Sequence, residues 1–210
     1  MPSNNYIYKM SNAGGMSTVT RYTDMLAGNA TFIEPAYESI ATTTVGAAGV
    51  TSVSFTSIPQ TYTHLQIRAS VRSNSVAAYD AFYIYNLNNA GVSSLMANHY
   101  IYGGGSFVGV NAFTGQFSAQ LGYVPAANTL ANNFGAGIVD ILDYTNTNKN
   151  KTLRGLGGFD DNGNTSGSPF ITFASAYSAQ LGTGAITNLT FIINNSFAIG
   201  TKFALYGIKG

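Results

Sequence analysis

Eight carboxylates, nine lysines and arginines and two histidines make up nearly all of the chain's means for acid–base or metal chemistry. The carboxylates are Asp24, Glu34, Glu38, Asp80, Asp140, Asp143, Asp160 and Asp161, and the histidines are His64 and His99. Asp140 and Asp143 are the one carboxylate pair inside an apolar stretch. Glycoside hydrolysis needs two carboxyls across a cleft. Residues three apart on a strand point to opposite faces, so these two cannot flank one bond. Pairing of Asp140 with Arg68, Arg72 or Arg154 is the expectation instead. Serines abound, but no G-x-S-x-G elbow presents one as a nucleophile.

The remaining polar clusters are no stronger. His64 falls on the polar side of an alternating stretch, and His99 lies between Asn98 and Tyr100 with no motif around it. Asp160-Asp161-Asn162-Gly163-Asn164 has the oxygens and the glycine of a calcium loop. It lacks the alternating acidic spacing and the downstream glutamate, so Asn162-Gly163 reads as a hairpin turn. Gly103-Gly104-Gly105 is followed by neither Lys-Ser/Thr nor a helix start, which excludes a phosphate loop. There is no cysteine, hence no disulfide and no thiolate chemistry. These residues point to a non-enzymatic protein with no cofactor and no metal. A glycan site built on Tyr83, Tyr85, Tyr100 and Tyr102 is the alternative. Against it, the chain has no tryptophan, and tyrosines on strands serve mostly in packing and interfaces.

The elements that would carry these residues are strands. From His64 to Arg72, Leu65, Ile67, Ala69 and Val71 alternate with His64, Gln66, Arg68, Ser70 and Arg72. Period two over nine residues marks a strand with one buried and one wet face. Val53 and Phe55 alternate upstream, and Pro59 ends that run. Phe82 and Ile84 alternate with Tyr83 and Tyr85. In Gly137–Tyr144, Val139 and Ile141 share one face while Ile138 and Leu142 lie on the side of Asp140. Apolar residues on both faces suit a central strand. Phe170–Tyr177, Leu189–Ile193 and Lys202–Ile208 complete a pattern of short strands broken by turns, as in a sandwich or barrel. Long, glycine-rich connections favour a jelly-roll-like antiparallel β-sandwich, an all-β fold, over a meander.

Residues 1–36 differ. The segment is polar and glycine-containing, and reads as an extended docking arm joined to a β domain over 37–210. Tyr6, Ile7 and Tyr8 are its first anchors. Ser17–Gly28 is its single helix candidate, with Ser17 as cap, Val19, Tyr22, Met25 and Leu26 on one face, and Gly28 as terminator.

Charged residues are 8% of the chain, against about 25% in an ordinary soluble domain. A net charge of +1 offers no footprint for nucleic acid and little self-repulsion to keep monomers apart. No apolar run approaches the ~18 residues of a membrane-spanning helix, and the N-terminus lacks the apolar core of a secretory signal. Such a surface suits contact with other subunits. His64, Arg68, Arg72, Tyr83 and Tyr85 are the expected interface residues.

Several stretches, taken together, resemble one family. They are Tyr37-Glu38-Ser39-Ile40-Ala41, the run from Phe55 to Arg68, Asp140-Ile141-Leu142-Asp143-Tyr144, Asn148 to Arg154, and Phe203 to Gly210. The set resembles a family of tailed-phage virion proteins common in cyanophages and marine phages. The resemblance covers residues 37–210 and implies a β-sandwich structural protein of the virion, made in the host cytoplasm. It implies no catalytic residue. The expected role is a capsid decoration (cement) protein. Its arm would dock on the major capsid protein or another virion protein, and its β domain would form a homo-oligomer, a trimer by preference. The alternative is a tail fibre or tail-tip module that binds host surface glycan.

Overall fold

The computed structural model describes residues 6–8, 19–21, 36–85, 88, 96–160, 170–178 and 183–210. The strands are β1 (Tyr6–Tyr8), β2 (Val19–Arg21), β3 (Tyr37–Thr44), β4 (Ser52–Phe55), β5 (His64–Val71), β6 (Tyr79–Tyr85) and β7 (Met96–Gly104). They continue as β8 (Phe107–Gln116), β9 (Ser118–Pro125), β10 (Gly135–Leu142), β11 (Lys151–Phe159), β12 (Phe170–Ser178), β13 (Leu189–Ile193) and β14 (Lys202–Ile208). Eight strands form one sheet in the order β3-β14-β5-β10-β11-β12-β7-β8, and four form a second in the order β4-β13-β6-β9. All pairings are antiparallel.

The pairing is nested. β3 lies against β14, β4 against β13, β5 against β10, and β6 against β9. Each outer pair encloses the next in sequence, as if one long hairpin had been rolled up so that successive pairs fall on alternate sheets. That is the jelly roll, with β3-β14-β5-β10 facing β4-β13-β6-β9. Two insertions modify it. β7 and β8 lie in the connection from β6 to β9, and β11 and β12 in the connection from β10 to β13. All four join the larger sheet beyond β10.

The core forms where alternating residues of the two sheets meet. Leu65, Ile67, Ala69 and Val71 of β5 are buried, as the alternation predicts, and so are Val139 and Ile141 of β10. Phe203 of β14 stacks on Phe191 of β13 at 5.1 Å between ring centres, and Phe82 of β6 stacks on Phe191 at 5.6 Å. These three rings tie sheet to sheet. Over the inserted strands, β9 supplies the cover. Tyr123 of β9 packs on Tyr100 and Tyr102 of β7 at 6.4 and 5.7 Å, and Phe113 of β8 lies 6.0 Å from Tyr100.

Two expectations are corrected. A helix was expected over Ser17–Gly28, but Val19–Arg21 pairs antiparallel with Tyr6–Tyr8. The run Thr18-Val19-Thr20 is β-branched and favours an extended backbone. Tyr22, Met25 and Leu26 lie outside the described residues. Arg72 was placed on the wet face with His64 and Arg68, but it is only 8% exposed. The β5 ladder ends at Val71, and the guanidinium of Arg72 donates to the carbonyls of Leu130 and Asn133 at 2.7 Å each. Arg72 holds the loop between β9 and β10, where backbone carbonyls replace the water it leaves.

Candidate functional site: the outer face of the widened sheet

The jelly roll buries the inner face of the large sheet and leaves the outer face open. Strand register decides which side chains stand together there. In the half made by β3, β14 and β5, the face is a polar and aromatic network. Tyr37 stacks on Tyr206 at 4.7 Å, and the guanidinium of Arg68 lies 5.6 and 5.8 Å from these two rings. The Tyr37 hydroxyl donates to Gln66 Oε1 at 2.8 Å, and Gln66 Nε2 donates to Asp140 Oδ1 at 2.9 Å. Burial pushes the Tyr37 phenol above its usual pKa, against the pull of Arg68. The expected partner of Asp140 is found among the three arginines named for it: Arg154 Nη2 approaches Asp140 Oδ2 at 3.4 Å.

The half made by β10, β11, β12, β7 and β8 is different. Ile138 is opposite Leu156, Leu156 opposite Phe173, Phe173 opposite Ile101, and Ile101 opposite Val110. The result is one apolar row across five strands. Its members are 38%, 44%, 57%, 53% and 74% exposed in that order. The next row adds Ile171 and Val108, separated by Gly103, with Gly158 and Ala136 beyond Ile171. On the other side runs a polar row with Asp140, Arg154, Ser175, His99 and Ala112 in register. A shallow groove of about 690 Å³ follows the boundary, lined by His99, Ile101, Val110, Ala112, Arg154 and Phe173.

The expected interface residues do not form one surface. His64 and Arg68 lie on β5 at the outer face of the large sheet, and Arg72 is buried. Tyr83 and Tyr85 are half-buried and alternate with the core residues Phe82 and Ile84 on β6 of the other sheet. Burial raises the Tyr83 phenol pKa, offset in part by a hydrogen bond with Asn194. Tyr100 and Tyr102 pack on each other at 5.7 Å within the β9 cover, so they do not form an open sugar platform.

The carboxylates are engaged separately. Asp143 sits in the turn after β10 with a φ of 48°. Lys149 Nζ meets its Oδ2 at 2.7 Å and, by that hydrogen bond first, holds the carboxyl below its usual pKa. The Asp143 N–H donates to His64 Nδ1 at 2.9 Å. Asp80 is buried and accepts from the Ser73 hydroxyl, the Asn194 amide and the Ala81 N–H. Of the Asp160–Asn164 turn, only Asp160 lies within the described residues. Among the described residues, no three histidine or carboxylate side chains gather as a metal site. Among the described residues, no helix is long and apolar enough to cross a membrane.

Comparison with known proteins adds no relative: no family model, no curated protein and no solved structure matches the chain. The apolar row itself is what sequence reasoning missed. Its one visible trace was Ile138 on the Asp140 side of β10, which reads equally as a buried second face.

Proposed function

We propose that this chain is a non-enzymatic structural component of a bacteriophage virion. In this reading it decorates the capsid, docks through residues 1–36 and assembles with copies of itself through its β domain. The observation that carries the reading is a jelly-roll body that leaves a five-strand apolar face uncovered. Jelly rolls recur in viral capsid and lectin domains, though a fold hosts many functions. The uncovered face favours the assembly role over a glycan-binding tail module. A sugar site needs convergent donors and acceptors beside an open aromatic platform; the groove here has His99, Asn111 and Arg154 among its lining, but Ile101, Val110 and Phe173 make its exposed surface mostly apolar. Scarce charge points the same way, because little repulsion opposes close packing of identical neutral bodies.

The test uses particles that lack the protein, incubated with purified chain. The full chain is expected to bind at hundreds of copies per particle, and a chain lacking residues 1–35 is expected to stay folded but unbound. Full occupancy by the shortened chain, or a copy number of only tens, overturns the decoration role.

A further inference from the structure

We infer that the row Ile138–Leu156–Phe173–Ile101–Val110 is the surface through which this chain packs on a second copy of itself, outer face against outer face. The inference deepens the assembly role proposed above, and rests on it, by naming the surface. Its test nevertheless uses purified chain alone, so the two can fail separately.

The first argument is area. The row and its neighbours Ile171 and Val108 are all between 38% and 78% exposed. Together they leave on the order of 600 Å² of apolar side chain in water, the upper limit of the largest patch on a typical monomer. With a polar rim added, that approaches the ~800 Å² each partner gives to a standard interface.

The second argument is the arrangement. An interface has an apolar centre with a polar rim. Here the apolar row is bordered by the row that contains Asp140, Arg154 and His99. On its other side Gly103 stands between Ile171 and Val108, and Gly158 and Ala136 follow beyond Ile171. Those small residues leave hollows beside Ile171 and Val108, so two such faces can interdigitate about 10 Å apart, as stacked sheets do.

The third argument concerns the occupant. The chain carries a net charge of +1, and the rim holds both an aspartate and an arginine, 3.4 Å apart. A rim of mixed sign is complementary to a rotated copy of itself, whereas a strongly charged partner gains nothing from it. Phe173 is the middle member of the row. A contact between identical faces brings the middle of the row near its own copy at the symmetry axis.

The chain has no cysteine, which makes the test clean. Phe173→Cys is expected to form a covalent dimer on mild oxidation in solution. Val76→Cys, more exposed than Phe173 but outside the row, is expected to stay monomeric on a denaturing gel. By sedimentation at tens of micromolar, the unmodified chain is expected to have a mass that is a multiple of 22.1 kDa. Phe173→Glu should reduce it to 22.1 kDa, with the same strand signal by circular dichroism. Leu156→Lys, on the next strand, should do the same and guards against a folding failure at Phe173. A 22.1 kDa mass for the unmodified chain overturns the inference, as does an assembly that survives both substitutions. In those cases the face belongs to residues 1–35 or to a different protein, and particle binding would still be measured separately.

Discussion

Lys151 shows how this chain handles a charge it cannot expose. The side chain is fully buried at the start of β11. Its Nζ donates to the carbonyls of Asp143, Asn146 and Lys149, which are the inside of the turn that joins β10 to β11. The ammonium serves as the mould of that turn. Lys151→Met keeps the apolar stem and removes the donor shared by the Asn146 and Lys149 carbonyls, while the Asp143 carbonyl keeps the Asn146 N–H. The expected loss is about 2–4 kcal/mol. In a chain of this length that lowers the melting temperature by roughly 5–10 °C, as differential scanning calorimetry would show. Burial pushes the Lys151 ammonium below the ordinary 10.5. The unfolded chain therefore binds that proton more firmly, and the penalty shrinks as pH rises towards 10.5.

Tyrosines set the opposite trend at higher pH. Tyr100 is 4% exposed, and burial, then its neighbour Tyr123, push its phenol up to about 12. Tyr37, Tyr62, Tyr83 and Tyr144 are also raised. A raised folded pKa gives stability that is complete below the ordinary value of 10 and is lost as pH climbs through the folded value. The urea midpoint is therefore expected to fall between pH 10 and 12. Tyr100→Phe should flatten that fall and remove the last tyrosinate step in absorbance at 295 nm. A midpoint that is flat over this range in the unmodified chain contradicts the assignment. At this scale the sequence already named Arg154 among the partners of Asp140. It gave no sign that Lys151 is buried, because the turn carbonyls that receive it are backbone atoms and carry no side-chain signature.

At the scale of the element, alternation identified strands wherever one face is buried and the other wet. β5 follows the rule along its whole length. β8 does not, because it is the edge strand of the large sheet and nearly every residue in it is exposed. β10 is central by hydrogen bonding, lying between β5 and β11, yet Ile138 and Leu142 on its outer face are each 38% exposed. Apolar residues on both faces thus had a second meaning that period alone could not separate from full burial. The difference predicts contrasting substitutions. Phe203 is fully buried in the stack with Phe191, so Phe203→Ala is expected to cost about 3–5 kcal/mol by urea titration. In the monomeric Phe173→Glu background, Leu156→Ala on the open face should change stability by no more than about 0.5 kcal/mol. Equal losses at both positions would mean that the outer face is covered within one chain.

Across the whole molecule, the nested pairing places the last strand inside the large sheet rather than at its edge. β14, residues Lys202–Ile208, lies between β3 and β5 and carries Phe203 and Leu205 into the core. The buried apolar residues among the described ones run from Val45 to Leu205. Removing residues 202–210 is therefore expected to abolish the cooperative unfolding transition. Removing residues 1–35 should leave it within a few degrees. A shortened N-terminus that melts without cooperativity would show that the segment belongs to the core. Pairing residue 44 with residue 202 also makes the contacts strongly non-local, which is the condition for slow folding.

Composition and period two, by themselves, determined that this is an all-β sandwich with little ionic chemistry to offer, because each strand announces its own buried face through residues two apart. Only the tertiary structure decided that Leu156, Phe173, Ile101 and Val110 stand side by side. Their adjacency depends on the register between strands as distant in sequence as Ile101 and Phe173, and register is a property of the pair of strands that no single stretch of sequence contains.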